Sequence, residues 1–213
     1  MVKITIIYDN TVYREGLESD WGFSCLVEAH NKKILFDTGT SGRMLLDNMK
    51  KLNIDPGIVE EVFISHDHWD HTGGLHDFLK INPVKVYVPA TYYSGQEAKE
   101  TISIKEPLEI HDNIFTTGEL GNIEQSLLIA TEKGLVVVVG CSHPGVKNIL
   151  QAASEYGKPW ALVGGLHGFS ELHLLEELEF VCATHCTQYM AEIKKMYPQK
   201  YIEGGAGREI VFK

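Results

Sequence analysis

The chain has 213 residues, 44% of them hydrophobic and 23% charged, which is enough to bury one sizeable core, so residues 1–213 read as a single domain. A formal charge of -10 with interspersed lysines and arginines argues against a nucleic-acid binder, because nonspecific affinity for phosphate backbones needs clustered cations. No segment approaches the roughly 18 apolar residues of a membrane span, and the apolar run in "MVKITIIYDN" is too short for a secretory signal.

A cytoplasmic protein is therefore expected. Its four cysteines, Cys25, Cys141, Cys182 and Cys186, form no C-x-x-C pair, which favours reduced thiols over a disulfide framework. Ile4 to Tyr8 reads as a strand, and Ser24 to Glu28 and Lys33 to Phe36 read as a hairpin across His30-Asn31-Lys32. Arg43 to Leu52 carries apolar residues at 44, 45, 49 and 52, a helical stripe that Asp55-Pro56-Gly57 ends before a strand over Val62 to Ser65. Thr91 to Pro107 is polar and weakly periodic, the pattern of a loop or lid whose tyrosines line a pocket. Ser126 to Ala130 and Leu135 to Val139 flank the turn Thr131 to Gly134, and Val146 to Tyr156 reads as a helix. The last third gives a strand at Ala161 to Val163, a helix at Leu172 to Leu178, a strand at Phe180 to Ala183 and a final strand at Glu209 to Phe212. Early hairpins with interleaved helices predict an α/β protein with mixed sheets.

The densest chemistry is "SHDHWDHTGG", which starts at Ser65. In an extended segment residues two apart project to one side, so His66 and His68 offer two imidazoles to one point past the strand. Asp70 and His71 follow in the turn and converge on a second point. A carboxylate beside three neutral nitrogens suits Zn, Fe or Mn. Histidines that merely cap a loop would explain one or two of these residues, but a chance match to the full spacing is on the order of one in a thousand. His143 in "VVVVGCSHPG" and His185 in "VCATHCT" also sit just past β-rich runs, where a sheet presents functional side chains, and are candidates to complete the ligand set.

Taken in order, "GFSCLVEAHNKKILFDTGTS", "SHDHWDHTGGL", "FTTGELGNIEQSLLIATEKGLVVVVGCSHPGVKNIL", "LVGGLHG" and "VCATHCT" resemble the metallo-β-lactamase superfamily. Within it they resemble the branch of dihydropterin ribofuranosyl-aminobenzene-phosphate synthase-like metal-dependent hydrolases. The resemblance spans most of the chain and implies a four-layer αββα sandwich with a dinuclear site at one edge of two central sheets. It implies two divalent metal ions, zinc first, with iron or manganese as alternatives. Carried over residue by residue, His66, His68 and His143 or a replacement hold one metal, and Asp70, His71 and His185 hold the other. Asp37 in "FDTG" matches an acid that orients a ligating imidazole through its other nitrogen. A two-metal centre lowers the pKa of a bound water, which Asp70 then directs, so hydrolysis of a small phosphorylated or ester-bearing, pterin- or nucleotide-like metabolite is implied. The oxygen-reducing relatives place Glu where this chain has His68. His167 in "GGLHG" is either a substrate contact or proton donor, or a satisfied loop residue.

Two departures alter that picture. The loop that carries a histidine in most superfamily members reads "TTGELGN", and the "GD" strand reads "VVVVGCSH", with Cys141 at the place of the bridging aspartate. His143 then substitutes from a new direction, while Cys141 either ligates or packs behind the site. Gln188 replaces a glycine after "HCT", and Asp20-Trp21-Gly22 replaces "EHG", which bears on substrate contacts. Two rival readings remain: a serine-hydrolase elbow with Ser142 as nucleophile, interrupted by Pro144, and a metallo-fold without turnover that serves as a ligand-binding or regulatory module. His30, His76, His111, His173, Lys105 and Arg208 read as turn, helix-face or solvated residues.

Overall fold

The computed structural model of the protein describes residues 1–93 and 98–213. In chain order it comprises β1 (Val2–Tyr8), β2 (Ser24–Ala29), β3 (Lys32–Phe36), α1 (Gly42–Lys51), a 3-10 turn at Pro56–Ile58, β4 (Glu61–Phe63), α2 (Trp69–Thr72), α3 (Leu75–Ile81), β5 (Lys85–Pro89), β6 (Glu100–Ile104), β7 (Leu108–His111) and β8 (Ile114–Thr116). Then follow β9 (Leu127–Thr131), β10 (Gly134–Val139), α4 (Val146–Ser154), β11 (Pro159–Gly165), a 3-10 turn at Leu172–Leu175, β12 (Phe180–Thr184), α5 (Met190–Met196) and β13 (Glu209–Phe212).

The strands form two mixed sheets, ordered β13-β1-β2-β3-β4-β5-β6 and β12-β11-β10-β9-β8-β7. Side-chain alternation assigns the layers. Val2, Ile4 and Ile6 of β1 enter the core between the sheets and meet Val136 and Val138 of β10 there. On the outside of the first sheet, Leu26, Leu35 and Val62 meet Met44, Leu45 and Met49 of α1 and Phe78 of α3. On the outside of the second, Leu135, Val137 and Val139 meet Val146 and Ile149 of α4 and Ile193 of α5. The result is the α/β architecture expected, a four-layer αββα sandwich. Because both faces of the central strands are covered, they read as near-continuous apolar runs.

Most predicted elements are present within a residue or two. The hairpin turn has both His30 and Asn31 at positive φ (49° and 61°), the conformation that a two-residue turn of matching twist requires. Ser41 caps α1 by accepting the Met44 N–H. Two expectations need correction. Glu100–Ile104, inside the expected lid, is a strand paired in parallel with β5; it reads as polar because it is the sheet's edge and its side chains are mostly solvated. The rest of that expectation falls partly on residues 94–97, which lie outside the described residues. Tyr92 packs against the α1/α3 layer, and the exposed Tyr93 donates its backbone N–H to Asp67 Oδ2 (3.0 Å), between His66 and His68. The expected helix at Leu172 to Leu178 is only the 3-10 turn ending at Leu175.

Strand direction prepares the site. β3 runs parallel to β4, and β10, β11 and β12 are mutually parallel. β1 is antiparallel to β2, which is antiparallel to β3, so β1 runs with β3. The segments leaving these six strands at their carboxyl ends carry every residue of the cluster described next. No helix among the described residues is long and apolar enough to cross a membrane.

Candidate metal centre

Two clusters of candidate metal ligands form where those ends meet. Donor atoms of His66, His68 and His143 lie within 4.8 Å of one another, and so do those of Asp70, His71, Cys141 and His185. The clusters adjoin, since the His66 and His71 rings are 4.1 Å apart. His66 follows β4, and His68 is the extended residue that begins α2. Asp70 and His71 lie within that single helical turn rather than in an irregular loop. Cys141 and His143 follow β10, and His185 follows β12. Gly140 must be a glycine: a Cβ there would stand 2.2 Å from Ser65 Oγ and 3.0 Å from His66 Nδ1.

Each imidazole of the buried set is held by one nitrogen and presents the other. Asp37, fully buried and at φ 53°, accepts the Ser65 N–H on Oδ1 (2.7 Å) and the Ser65 hydroxyl on Oδ2 (2.7 Å). The same Oδ2 faces His71 Nδ1 at 2.7 Å, and Ser65 Oγ faces His66 Nδ1 at 2.9 Å. With the Ser65 proton given to Asp37, Ser65 Oγ accepts from His66 Nδ1–H, and Asp37 accepts from His71 Nδ1–H. That leaves Nε2 of both rings free of protons and directed inward. His71 Nε2 then meets Cys141 Sγ at 3.2 Å. His185 Nδ1 lies 2.9 Å from Asn10 Oδ1, and its Nε2 faces Asp70 Oδ2 at 3.4 Å. Asp9 fixes the backbone under His185 by accepting its N–H (3.0 Å) and the Thr184 hydroxyl (2.6 Å).

The electrostatics match a site prepared for cations. Burial, with the neighbouring imidazoles adding to it, pushes the His66 pKa well below the usual histidine value and that of His143 down to about 4, so both rings stay neutral. Burial alone would raise the Asp70 carboxyl, but His185 and His71 outweigh it and hold it at about 2. For His71 burial works against the charged form and the Asp37 carboxylate overcomes it, raising the pKa. Nε2 of His66 and of His143 are buried without a hydrogen-bond partner among the described residues. Buried nitrogens of this kind are normally satisfied, and a cation at their focus satisfies them. On this observation the residues fit a divalent metal.

Other predicted residues are placed as follows. His167 is exposed, at φ 46°, with its ring 5.1 Å from that of His143. It lines a cavity of about 300 Å³ together with Trp21, Trp69, Asp70, His143 and Cys186. Cys141 also lines it and lies 3.3 Å from Cys186, sulfur to sulfur. The Ser142 hydroxyl donates to the Gly165 carbonyl (2.7 Å), a bond that ties it to β11 rather than to an activating imidazole. Arg208 lies over the Tyr13 ring at 4.6 Å, and neither it nor Lys105 lines this cavity. His111 pairs with Glu61 (2.6 Å), and His30 faces the Ala130 carbonyl (2.8 Å). Gln188 donates its backbone N–H to the His167 carbonyl (2.9 Å).

Sequence reading missed Glu124, Asp9, Asn10 and Ser65. Glu124 is fully buried, and its carboxylate takes the backbone N–H groups of Gly140, Cys141 and Ser142 on one oxygen and that of His143 on the other. Nothing in "GNIEQS" separates such a residue from a solvated loop acid. Ser65 could have been found, since it directly precedes His66.

Residues 22–145 match the Metallo-beta-lactamase superfamily. The chain is 29% identical over 273 residues to 7,8-dihydropterin-6-methyl-4-(beta-D-ribofuranosyl)-aminobenzene-5'-phosphate synthase of Methanocaldococcus jannaschii, covering 95% of this chain and 92% of that one. The crystal structure of Tm1679, a metal-dependent hydrolase of the beta-lactamase superfamily, superposes with a TM-score of 0.83 at 28% identity over 100% of this chain and 99% of the other. Human tRNase Z, short form, shares the fold at a TM-score of 0.66 and 14% identity over 98% of both chains.

Proposed function

We propose, from the premise that this chain belongs to the metallo-beta-lactamase superfamily, that it is a dinuclear metal-dependent hydrolase of a small phosphorylated or ester-bearing metabolite. The single observation that carries this reading is the pair of adjoining ligand clusters, three imidazoles in one and a carboxylate, two imidazoles and a thiol in the other. His66, His68 and His143 would hold one ion, and Asp70, His71 and His185, with Cys141, the other. Nitrogen, thiolate and carboxylate donors together suit zinc, with iron and manganese as alternatives. When bound, such a pair supplies Lewis acidity and a water of lowered pKa.

The chain's own groups do the rest. Asp70, ionised at any ordinary pH, accepts a hydrogen bond from the attacking water and fixes its direction. His167, on the open side of the cavity, donates a proton to the leaving oxygen. Trp21 and Trp69, 48% and 62% exposed, stand at the cavity and offer flat apolar walls suited to a pterin- or nucleotide-like ring. The name of the methanogen relative, a ribofuranosyl-aminobenzene-phosphate synthase, supports a substrate with an aryl group and a phosphate.

Elemental mass spectrometry on protein purified without added metal or chelator, repeated after reconstitution, tests the reading. About two metals per chain, with turnover of phosphoesters in a panel that also contains lactones, is the expected outcome. One metal or none after reconstitution, or two metals without turnover of any panel member, refutes it.

A further inference from the structure

We infer that Glu124 is a positioning residue whose two carboxylate oxygens set the two ligand clusters separately, Oε1 holding the Cys141 end of the β10–α4 loop and Oε2 the His143 end. The inference rests on the two-metal reading above and adds a residue on which both halves of the site depend.

The loop leaves β10 as Gly140-Cys141-Ser142-His143 and bends at Ser142, whose φ is 61°. A bend of this kind turns successive N–H groups toward one side, making a small anion-binding concavity. Here the anion is a side chain of the same molecule. Glu124 Oε1 accepts from Gly140 (3.0 Å), Cys141 (3.1 Å) and Ser142 (3.0 Å), and Oε2 accepts from His143 (2.9 Å). Burial raises this carboxyl to about 7 against the pull of those same N–H groups. An acid is a costly way to fill a space in a fold's interior unless its oxygens are satisfied, and here four N–H groups satisfy them, a role that an apolar residue could not perform.

Glu124 is itself anchored to the other half of the site. Its neighbour Gln125 donates its backbone N–H to the Ser65 carbonyl (2.9 Å) and its side-chain amide to the Ile64 carbonyl (2.9 Å). Ile64 and Ser65 lead directly into His66. The two residues Glu124-Gln125 therefore tie the segment bearing His66 and His68, from the first sheet, to the loop bearing Cys141 and His143, from the second. Neither His143 nor Cys141 has another backbone tie of this kind to the first sheet among the described hydrogen bonds.

The division between the oxygens makes the role testable with E124Q. An amide keeps one acceptor oxygen, which three N–H groups favour at the Oε1 place. Its NH2 then opposes the His143 N–H, donor against donor. In residue-resolved hydrogen exchange of the full chain, the His143 amide should exchange at least about tenfold faster, while Gly140, Cys141 and Ser142 stay protected. In a zinc titration against a competing chelator, the His66/His68/His143 position should weaken roughly tenfold or more, and the position containing Cys141 should hold. In E124A all four amides should lose protection and both positions should weaken. Equal deprotection of the four amides in E124Q, or equal weakening of both metal positions, overturns the division of labour; unchanged exchange at His143 overturns the role altogether. Should the wild-type protein bind fewer than two zinc ions, the two-metal reading fails by itself, while the exchange pattern still decides what Glu124 does.

Discussion

Replacing Asp37 by asparagine probes the one carboxylate that organises both clusters from the first sheet. Its oxygens receive three donors, the Ser65 N–H, the Ser65 hydroxyl and His71 Nδ1, each at 2.7 Å. An asparagine oxygen at the Oδ2 place leaves its NH2 against the Ser65 N–H. In the opposite orientation the NH2 faces His71 Nδ1 and forces the tautomer with a proton on Nε2, aimed at Cys141 and the ligand position. The first arrangement sets a buried donor pair in conflict and the second puts the His71 proton on the inward-facing nitrogen; disruption of a buried hydrogen bond of this kind costs about 1–3 kcal/mol of stability, within the 5–15 kcal/mol that a domain has. The D37N protein should therefore fold with a lowered Tm. Loss of an imidazole-orienting carboxylate costs about 10- to 100-fold in metal affinity, or about 1.4–2.8 kcal/mol. The assay is zinc titration against a chelator, in parallel with thermal denaturation of the metal-free proteins. A folded D37N that holds both zinc ions as tightly as the wild type would refute the assignment of Asp37 as the orienting acid.

Three further outcomes follow from the same geometry. Stripping the metals with a chelator should lower Tm, because each ion binds only the folded form and contributes about 2.7 kcal/mol at a free concentration 100 times its Kd; a Tm indifferent to metal would contradict the clusters as binding sites. In the metal-free protein the His143 and His66 imidazoles should cost stability as pH falls from about 6.5 toward 4. His143 at about 4 and His66, also depressed, stay neutral in the fold while unfolded imidazoles take up protons, so the unfolded state binds more protons and is favoured. Asp70, near 2, extends the loss to lower pH, whereas Glu124, raised to about 7, and His71 and Asp9, both raised, work in the opposite sense, so the imidazole contribution is read as a difference between wild type and H143N. Urea unfolding midpoints of both proteins across that range read it, and H143N should lose less stability than the wild type as pH falls. Finally, W69A should raise KM for aryl phosphoesters by about tenfold, corresponding to about 1.4 kcal/mol of lost contact, and leave KM for alkyl phosphoesters unchanged; an equal change for both would remove Trp69 from ring recognition.

Half of the candidate site can be read from spacing and half cannot, and the difference is physical. His66 and His68 are legible because an extended segment projects alternate residues to one side. His143 and His185 are legible because each follows a β-rich apolar run, whereas Cys141 stands out only through the family resemblance, at the place of the bridging aspartate. The groups that hold them are a different matter. Asp9 and Asn10 at the end of β1 look like turn residues, yet they reach His185, 175 or more positions away in the chain. Glu124 lies between polar neighbours, and only the approach of the loop after β10 makes it a buried acceptor. The fold shows the same split. The central strands announce themselves by β-branched runs, whereas β6, at the sheet edge, carries the solvated side chains of a loop. The short strands β7 and β8 give too few residues for a period to show.

The candidate ligands divide by sheet in a way that would link metal binding to folding. His66, His68, Asp70 and His71 follow β4 of the first sheet, and Cys141, His143 and His185 follow β10 and β12 of the second. Each cluster draws on both sheets. Neither is complete until Val2, Ile4, Ile6, Phe36 and Phe63 have closed on Leu127, Ile129, Val136 and Val138. On the two-metal reading, metal affinity would therefore report on sheet docking as well as on donor chemistry. A substitution deep between the sheets, such as V138A, leaves every ligand in place and opens a cavity costing about 1–3 kcal/mol. It should loosen both metal positions together, in contrast to E124Q, which should loosen one. The contrast separates a contact that packs the two sheets from one that aims a particular side chain.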